Sequence, residues 1–203
     1  MTGGPWEKLP REFYLRDTLT VARDLLGRWL VRRTPEGLLR CRITETEAYC
    51  GPSDPACHSS RGSREGRTSV MYREGGLSYI YLIYGMHCCF NVVTRPAGEP
   101  EAVLIRGAQP LEGLSQMARN RRLGEPARER DLLSGPGKLC QALAIDRGLY
   151  GEPLWGDRLW LCAGEPFPED AVTATPRINI DYAGEAAAWP WRFVAQRAGR
   201  PGP

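Results

Sequence analysis

Apolar and polar positions alternate most clearly in two stretches of the chain. From Leu38 to Tyr49 an extended strand would place Cys41, Ile43, Glu45, Glu47 and Tyr49 on one side, opposite Arg40, Arg42, Thr44, Thr46 and Ala48. That face begins apolar and ends in carboxylates. From Leu77 to Tyr84 the same period puts Leu77, Tyr79, Tyr81 and Ile83 opposite Ser78, Ile80, Leu82 and Tyr84. Gly75-Gly76 precedes this run and Gly85 follows it. Cys88 to Val93 reads as the returning strand, which makes a hairpin with Tyr84 at its tip.

The remaining pattern is mixed. Leu30–Val31 is a short strand paired with the long one around Pro35-Glu36-Gly37, and Ala102 to Gly107 is another, bounded by Pro100 and Pro110. Asp17 caps a helix running to Gly27, with Leu19, Val21, Ala22, Leu25 and Leu26 as its apolar stripe. Leu111 to Arg122 reads as a helix with Pro110 near its first position. Lys138 to Ile145 is a short helix reached through Ser134-Gly135-Pro136-Gly137, a turn whose backbone amides either hold a phosphate or simply reverse the chain. Leu159 to Cys162 and Arg177 to Tyr182 read as strands. Gly51 to Gly76 lacks periodicity and reads as a loop, and residues 1–10 and 198–203 as flexible ends. At 203 residues the chain is most simply one domain, residues 1–203.

These elements narrow the chemistry. Carboxylates at a strand end are either solvated at a sheet edge or directed into a cleft where their ionisation matters. Tyrosines in strands commonly pack within a sheet. Here they fall on both faces, and one adjoins a turn. No run approaches the roughly 18 apolar residues of a membrane span, and the N-terminus lacks a cationic start followed by an apolar stretch, which points to the cytoplasm and to no membrane partner. The seven cysteines are odd in number and lie in apolar contexts, as expected of reduced thiols. Cys50, Cys57, His58, His87, Cys88 and Cys89 match no paired Cys-x2-Cys framework, so no metal is expected.

The formal charge of +3 excludes a blanket polycation. Of the 27 basic side chains, only Lys8 and Lys138 are lysines. Arg61, Arg64, Arg67 and Arg73 cluster between the two alternating stretches, and Arg119, Arg121, Arg122, Arg128 and Arg130 cluster later. Guanidinium forks suit phosphate oxygens, although Glu65, Glu74, Glu125 and Glu129 are interspersed, as on an ordinary solvated surface.

Several co-linear motifs resemble the alkyladenine (3-methyladenine) DNA glycosylase family of base-excision repair. They are Glu45 to Tyr49 with Gly51-Pro52, Ala56-Cys57-His58-Ser59, Tyr79 to Asn91, Val103-Leu104-Ile105-Arg106, Pro110 to Gly113, Ser134 to Leu143, Thr175-Pro176-Arg177-Ile178 and Asp181 to Glu185. Together they span about residues 11 to 195. The resemblance implies an α+β single mixed domain with a curved, largely antiparallel β-sheet, flanking helices and a protruding β-hairpin. It also implies a monofunctional DNA glycosylase that flips alkylated or deaminated purines out of duplex DNA: 3-methyladenine, 7-methylguanine, hypoxanthine and ethenoadenine.

By motif position, Glu47 is the catalytic acid that activates water and Arg106 its orienting partner. Tyr49 and Tyr81 are the walls around the base, His58 contacts its edge, and Asn91 sits where a 2-amino group would collide. Tyr84 is the wedge that enters the duplex, and Arg67, Gly137 and Lys138 approach its backbone. The implied partner is double-stranded DNA with damaged purines, bound by a monomer without a cofactor. Few lysines agree with hydrolysis rather than strand cutting through a Schiff base, because only Lys8, Lys138 and the N-terminus carry amines. The chain departs from the family pattern at Thr68, where an Asn is usual, and at His87, where a tyrosine occurs. Two other readings are a binder of damaged DNA that has lost excision and a zinc-stabilised interaction domain.

Overall fold

A computed structural model describes residues 4–124 and 126–195. Its eight strands are β1 (Trp29–Thr34), β2 (Gly37–Tyr49), β3 (Ser78–Ile83), β4 (His87–Thr94), β5 (Glu101–Glu112), β6 (Leu159–Cys162), β7 (Val172–Thr175) and β8 (Arg192–Ala195). They form one antiparallel sheet in the order β3-β4-β5-β2-β1-β6, and the β7–β8 pair joins it through β8 on β2. The helices are α1 (Arg11–Tyr14), α2 (Thr18–Asp24), α3 (Leu114–Asn120), α4 (Glu129–Leu132) and α5 (Pro136–Ala142). The result is a mixed α+β domain with a curved sheet, flanking helices and a projecting β3–β4 hairpin.

One face of the sheet carries the main core. Ile43, Ala48, Ile80, Phe90, Val92, Val103 and Ile105 are buried there with Val21 of α2, Leu25 at its C-terminal cap, Met117 of α3 and Leu139 of α5. Asp17 caps α2 as its sequence indicates, its carboxylate accepting the Thr20 N–H at 2.9 Å. The opposite face holds a smaller cluster, in which Leu77, Tyr79, Val93 and Ala102 meet Cys57, Val70 and Met71.

The simple alternation expected of β2 does not hold. Cys41 and Ile43 face the main core, but so do Thr46 and Ala48, and the Thr46 hydroxyl donates to the Ala22 carbonyl at 2.8 Å. Facing pairs run Ile43–Ala108, Glu45–Gly107 and Thr46–Ile105, so Thr44 on β2 and Arg106 on β5 each fall outside the ladder. Each inserted residue is a bulge that re-aims the side chains after it. Glu45, Glu47 and Tyr49 are thereby turned away from Cys41 and Ile43, onto the face of Tyr79, Tyr81 and Leu104.

Other expectations also shift. The helix expected from Leu111 begins only at Leu114, because β5 continues to Glu112, with Pro110 at a register shift where a strand tolerates proline. Gly113, at φ 80°, makes the turn between them, and a Cβ there would stand 2.4 Å from Leu39 Cδ2. Arg177 to Tyr182 is not a strand: it is irregular and then enters the 3₁₀ segment Asp181–Ala188, while β7 and β8 are the strands of that region. The expected loop from Gly51 to Gly76 contains three 3₁₀ segments, Gly51–Ser53, His58–Arg61 and Gly66–Tyr72, too short to leave a helical period. Thr68 orders the last of these by donating to the Ser63 and Glu65 carbonyls at 2.9 and 3.2 Å. The beginning expected to be loose is seated by Lys8, which bridges Cys162, and by buried Leu9. Residues 1–3 and the expected flexible tail 198–203 lie outside the described residues. Among the described residues no helix is long and apolar enough to cross a membrane.

Candidate active site

The β3–β4 hairpin, the first turn of α5 and the segment after β7 enclose a cleft of about 640 Å³. Seven of the ten residues singled out from sequence line it: Tyr49, His58, Arg67, Tyr81, Tyr84, Arg106 and Gly137. Glu47 lies beneath the wall with no exposed surface, and Asn91 is 3% exposed, its amide donating to the Tyr79 carbonyl at 3.1 Å. Lys138 is exposed next to Gly137 in the first turn of α5 and does not line the cleft.

The hairpin displays its tip because the turn cannot fold back. Tyr84 and Gly85 both adopt left-handed backbone, with φ of 52° and 68°, and the Met86 N–H returns to the Ile83 carbonyl at 3.2 Å. Tyr84 is 79% exposed and Met86 75%. His87 begins the returning strand and packs against Gly137, where a Cβ would come within 3.1 Å of His87 Cβ.

Glu47 is held at both oxygens. Its Oε1 accepts the Ile178 N–H at 2.8 Å, and its Oε2 accepts the Tyr49 hydroxyl at 2.9 Å and Arg106 Nη1 at 3.3 Å. Burial pushes the Glu47 carboxyl above its ordinary pKa, and Arg106, the Ile178 amide and the Tyr49 hydroxyl oppose that rise without cancelling it. Arg106 is raised in turn: burial disfavours its charge, but Glu47 and Glu45 outweigh it. On the opposite wall, the Tyr79 hydroxyl and His58 Nδ1 share a hydrogen bond of 2.8 Å, and the imidazole meets the Tyr81 ring edge-on at 4.6 Å. Burial, with Arg67 nearby, lowers His58 to about 4, so its ring is neutral at physiological pH.

The family model for methylpurine-DNA glycosylase matches residues 12–198. The chain belongs to the methylpurine-DNA glycosylase family. Several curated relatives cover nearly all of it, and each is provisionally named 3-methyladenine DNA glycosylase. One from Desulfitobacterium hafniense is 49% identical over 94% of this chain and 96% of its own. One from Methanocella arvoryzae is 49% identical over 91% and 90%, and one from Bacillus licheniformis 48% over 92% of each. Membership in a DNA glycosylase family makes DNA the partner and glycosidic-bond hydrolysis the class of reaction.

Around this cleft, several residues that were not singled out in the sequence hold the others in place. Glu45 Oε1 accepts from Arg106 Nε at 3.1 Å and from Arg192 Nε at 2.7 Å. Ile178 supplies the backbone donor to Glu47. Arg177 is fully buried and forms a bidentate pair with Asp54 at 2.5 and 2.9 Å, while also donating to the Ala48 carbonyl. Its guanidinium lies 4.9 Å from the Tyr49 ring and 5.0 Å from that of Trp191, which fixes Tyr49 from behind. Arg177 and Ile178 stood inside a recognised motif, but nothing local pairs Arg177 with a residue 123 positions earlier.

Among the described residues, no three His, Cys, Asp or Glu side chains stand close enough to hold a metal ion. The glycosylase's two lysines also lie off the cleft wall. The Lys8 ammonium is bonded to the Gly156 carbonyl at 2.7 Å and to Asp157 at 2.8 Å.

Proposed function

We propose that the chain is a monofunctional DNA glycosylase that flips an alkylated or deaminated purine into this cleft and hydrolyses its N-glycosidic bond with water activated by Glu47. The observation that carries the reading is the convergence of a constrained carboxylate, two tyrosines and an exposed aromatic tip around one cavity. Unstacking a base costs a few kcal/mol, and each aromatic contact returns about 1–3 kcal/mol. Tyr84 fills the space the base leaves, while Tyr49 and Tyr81 hold the base itself.

Glu47 is one hydrogen bond from the cavity, because Tyr49 and Arg106, which both touch Oε2, line it. Entry of the nucleotide parts these two donors and admits a water to Oε2. The carboxylate takes the proton of that water and faces the positive charge developing at the sugar. Arg106 orients carboxylate and water. Neutral His58 offers a hydrogen bond to the base edge, and Asn91, below the wall beside Tyr79, meets a 2-amino group that descends too far.

Cationic bases such as 3-methyladenine and 7-methylguanine leave easily, so bond lability supplies part of the selection; hypoxanthine and ethenoadenine depend more on the site. Arg67, Gly137 and Lys138 approach the phosphates, where Gly137 leaves room and Lys138 adds charge. Neither lysine stands on the wall to form a Schiff base, which favours simple hydrolysis with an abasic site as product. The reaction needs no cofactor, and a cytoplasmic monomer suffices for it.

Glu47→Gln is expected to abolish release of hypoxanthine or ethenoadenine from duplex DNA while lesion binding survives. Undiminished turnover would remove Glu47 from the mechanism. The complete burial of Glu47 favours a second reading, a binder of damaged DNA without excision. Release of any base from a lesion panel by the unaltered chain decides against it.

A further inference from the structure

Arg106 serves two carboxylates at once. Its Nη1 reaches Glu47 at 3.3 Å and its Nε reaches Glu45 at 3.1 Å, two acids on one face of the same strand. A guanidinium shared in this way is pulled from both sides. The second acid is claimed by another cation, since Arg192 Nε lies 2.7 Å from the same Glu45 oxygen. Arg192 is itself pinned, donating through Nη1 to Thr175 Oγ1 at 3.1 Å. The four groups sum to zero charge and are about four-fifths buried or more, so their mutual fields are only partly screened by water.

The backbone explains the placement. Arg106 is the residue outside the ladder on β5, and its carbonyl is held by the Gly135 N–H at 3.0 Å. Arg192 stands directly across from Glu47 on β8, and Thr175 across from Arg192 on β7. The β7–β8 pair therefore brings a counter-ion to the acid beside the proposed base.

We propose that Glu45 and Arg192 are positioning residues, which together hold the Arg106 guanidinium against Glu47 and make the β7–β8 pair part of the active centre. This inference rests on the reading of Glu47 as the base. Neither residue touches the substrate. Glu45 anchors Arg106 through Nε, and Arg192 neutralises Glu45 so that it does not draw Arg106 away.

Other groups bear on Glu47 and must be held constant in a test. They are Tyr49 on β2, Tyr81 on β3, Cys89 on β4, and Arg177 and Tyr182 in the segment after β7. Removing Glu45 takes a negative charge from beside Glu47, which lowers the pH at which Glu47 ionises. Removing Arg192 takes away a positive charge and leaves Arg106 alone to balance both acids, which raises that pH.

The test measures single-turnover excision from a hypoxanthine duplex against pH, with duplex affinity and thermal midpoint recorded for each variant. Glu45→Gln and Arg192→Met should each slow the plateau rate, by up to about 100-fold, the scale a small misplacement of a reacting group costs. The acid limb should move down in pH for the first and up for the second, with duplex affinity unchanged. The double variant should bring the limb back toward its original position, and Arg192→Lys should recover part of the rate. Variants that keep rate and limb overturn the positioning role, and so do variants that lose thermal stability while the limb stays in place. Glu47→Gln is run alongside: if it excises normally, the reading of the base fails; if it is dead while the other variants match the parent, only the positioning proposal fails.

Discussion

At the scale of single residues, the role proposed for Glu47 sets two demands against each other. A base must be ionised, yet a carboxylate without exposed surface resists ionisation, and here burial prevails over the three donors that favour the charge. Activity that needs the ionised form is lost as pH falls through the raised pKa. The acid limb of the excision rate should therefore lie above the ordinary carboxylate range of about 4.3. Arg106→Gln removes a cation that favours the carboxylate and should move that limb further up, which a pH–rate profile of the two proteins checks. Asp54 presents a related case without chemistry. Asp54→Ala would leave Arg177 as an unpaired charge with its side chain fully buried, at a cost of about 3–5 kcal/mol readable in a urea titration.

At the scale of elements, the two bulges and the hairpin turn decide what each strand presents. Without the insertions at Thr44 and Arg106, simple alternation would put Glu47 on the side of Ile43, in the main core. The left-handed turn at Tyr84-Gly85 likewise keeps an aromatic ring out of any core. Because Tyr84 supports no packing of the domain, Tyr84→Ser should leave the melting temperature within a few degrees of the parent and weaken affinity for lesion-containing duplex. Equal affinity in a titration would remove the wedge. The hairpin, α2 with its Asp17 cap, and Leu159–Cys162 were all legible as local patterns. β7 and β8 were not: they are as short as Leu159–Cys162, but where that strand is a continuous buried apolar run, theirs mix polar and apolar residues at partly exposed positions.

At the scale of the whole molecule, recognition of a duplex is largely electrostatic even though the net charge is small. Arginines near the cleft matter more than the total. Arg67 lines the cavity and is exposed, with its guanidinium 5.9 Å from the Tyr81 ring. Affinity for lesion and undamaged duplexes should fall with salt, and Arg67→Gln should weaken both alike and make the log–log slope shallower by about one. A slope that does not change would take Arg67 off the phosphate backbone.

The residue types, the order of the motifs and the alternating strands were set by the linear chain, since local periodicity and turn chemistry act over a few residues. They sufficed to name the family and seven of the residues that line the cleft. Tertiary structure alone decided which way Glu45 and Glu47 face, that Ile178 and Arg192 come from the far end of the chain to meet them, and that Arg177 is matched to Asp54. Bulges shift register by one residue, and buried ion pairs join positions more than a hundred residues apart. Neither leaves a periodic trace, because both arise only when strands that are distant in sequence are pressed into one sheet.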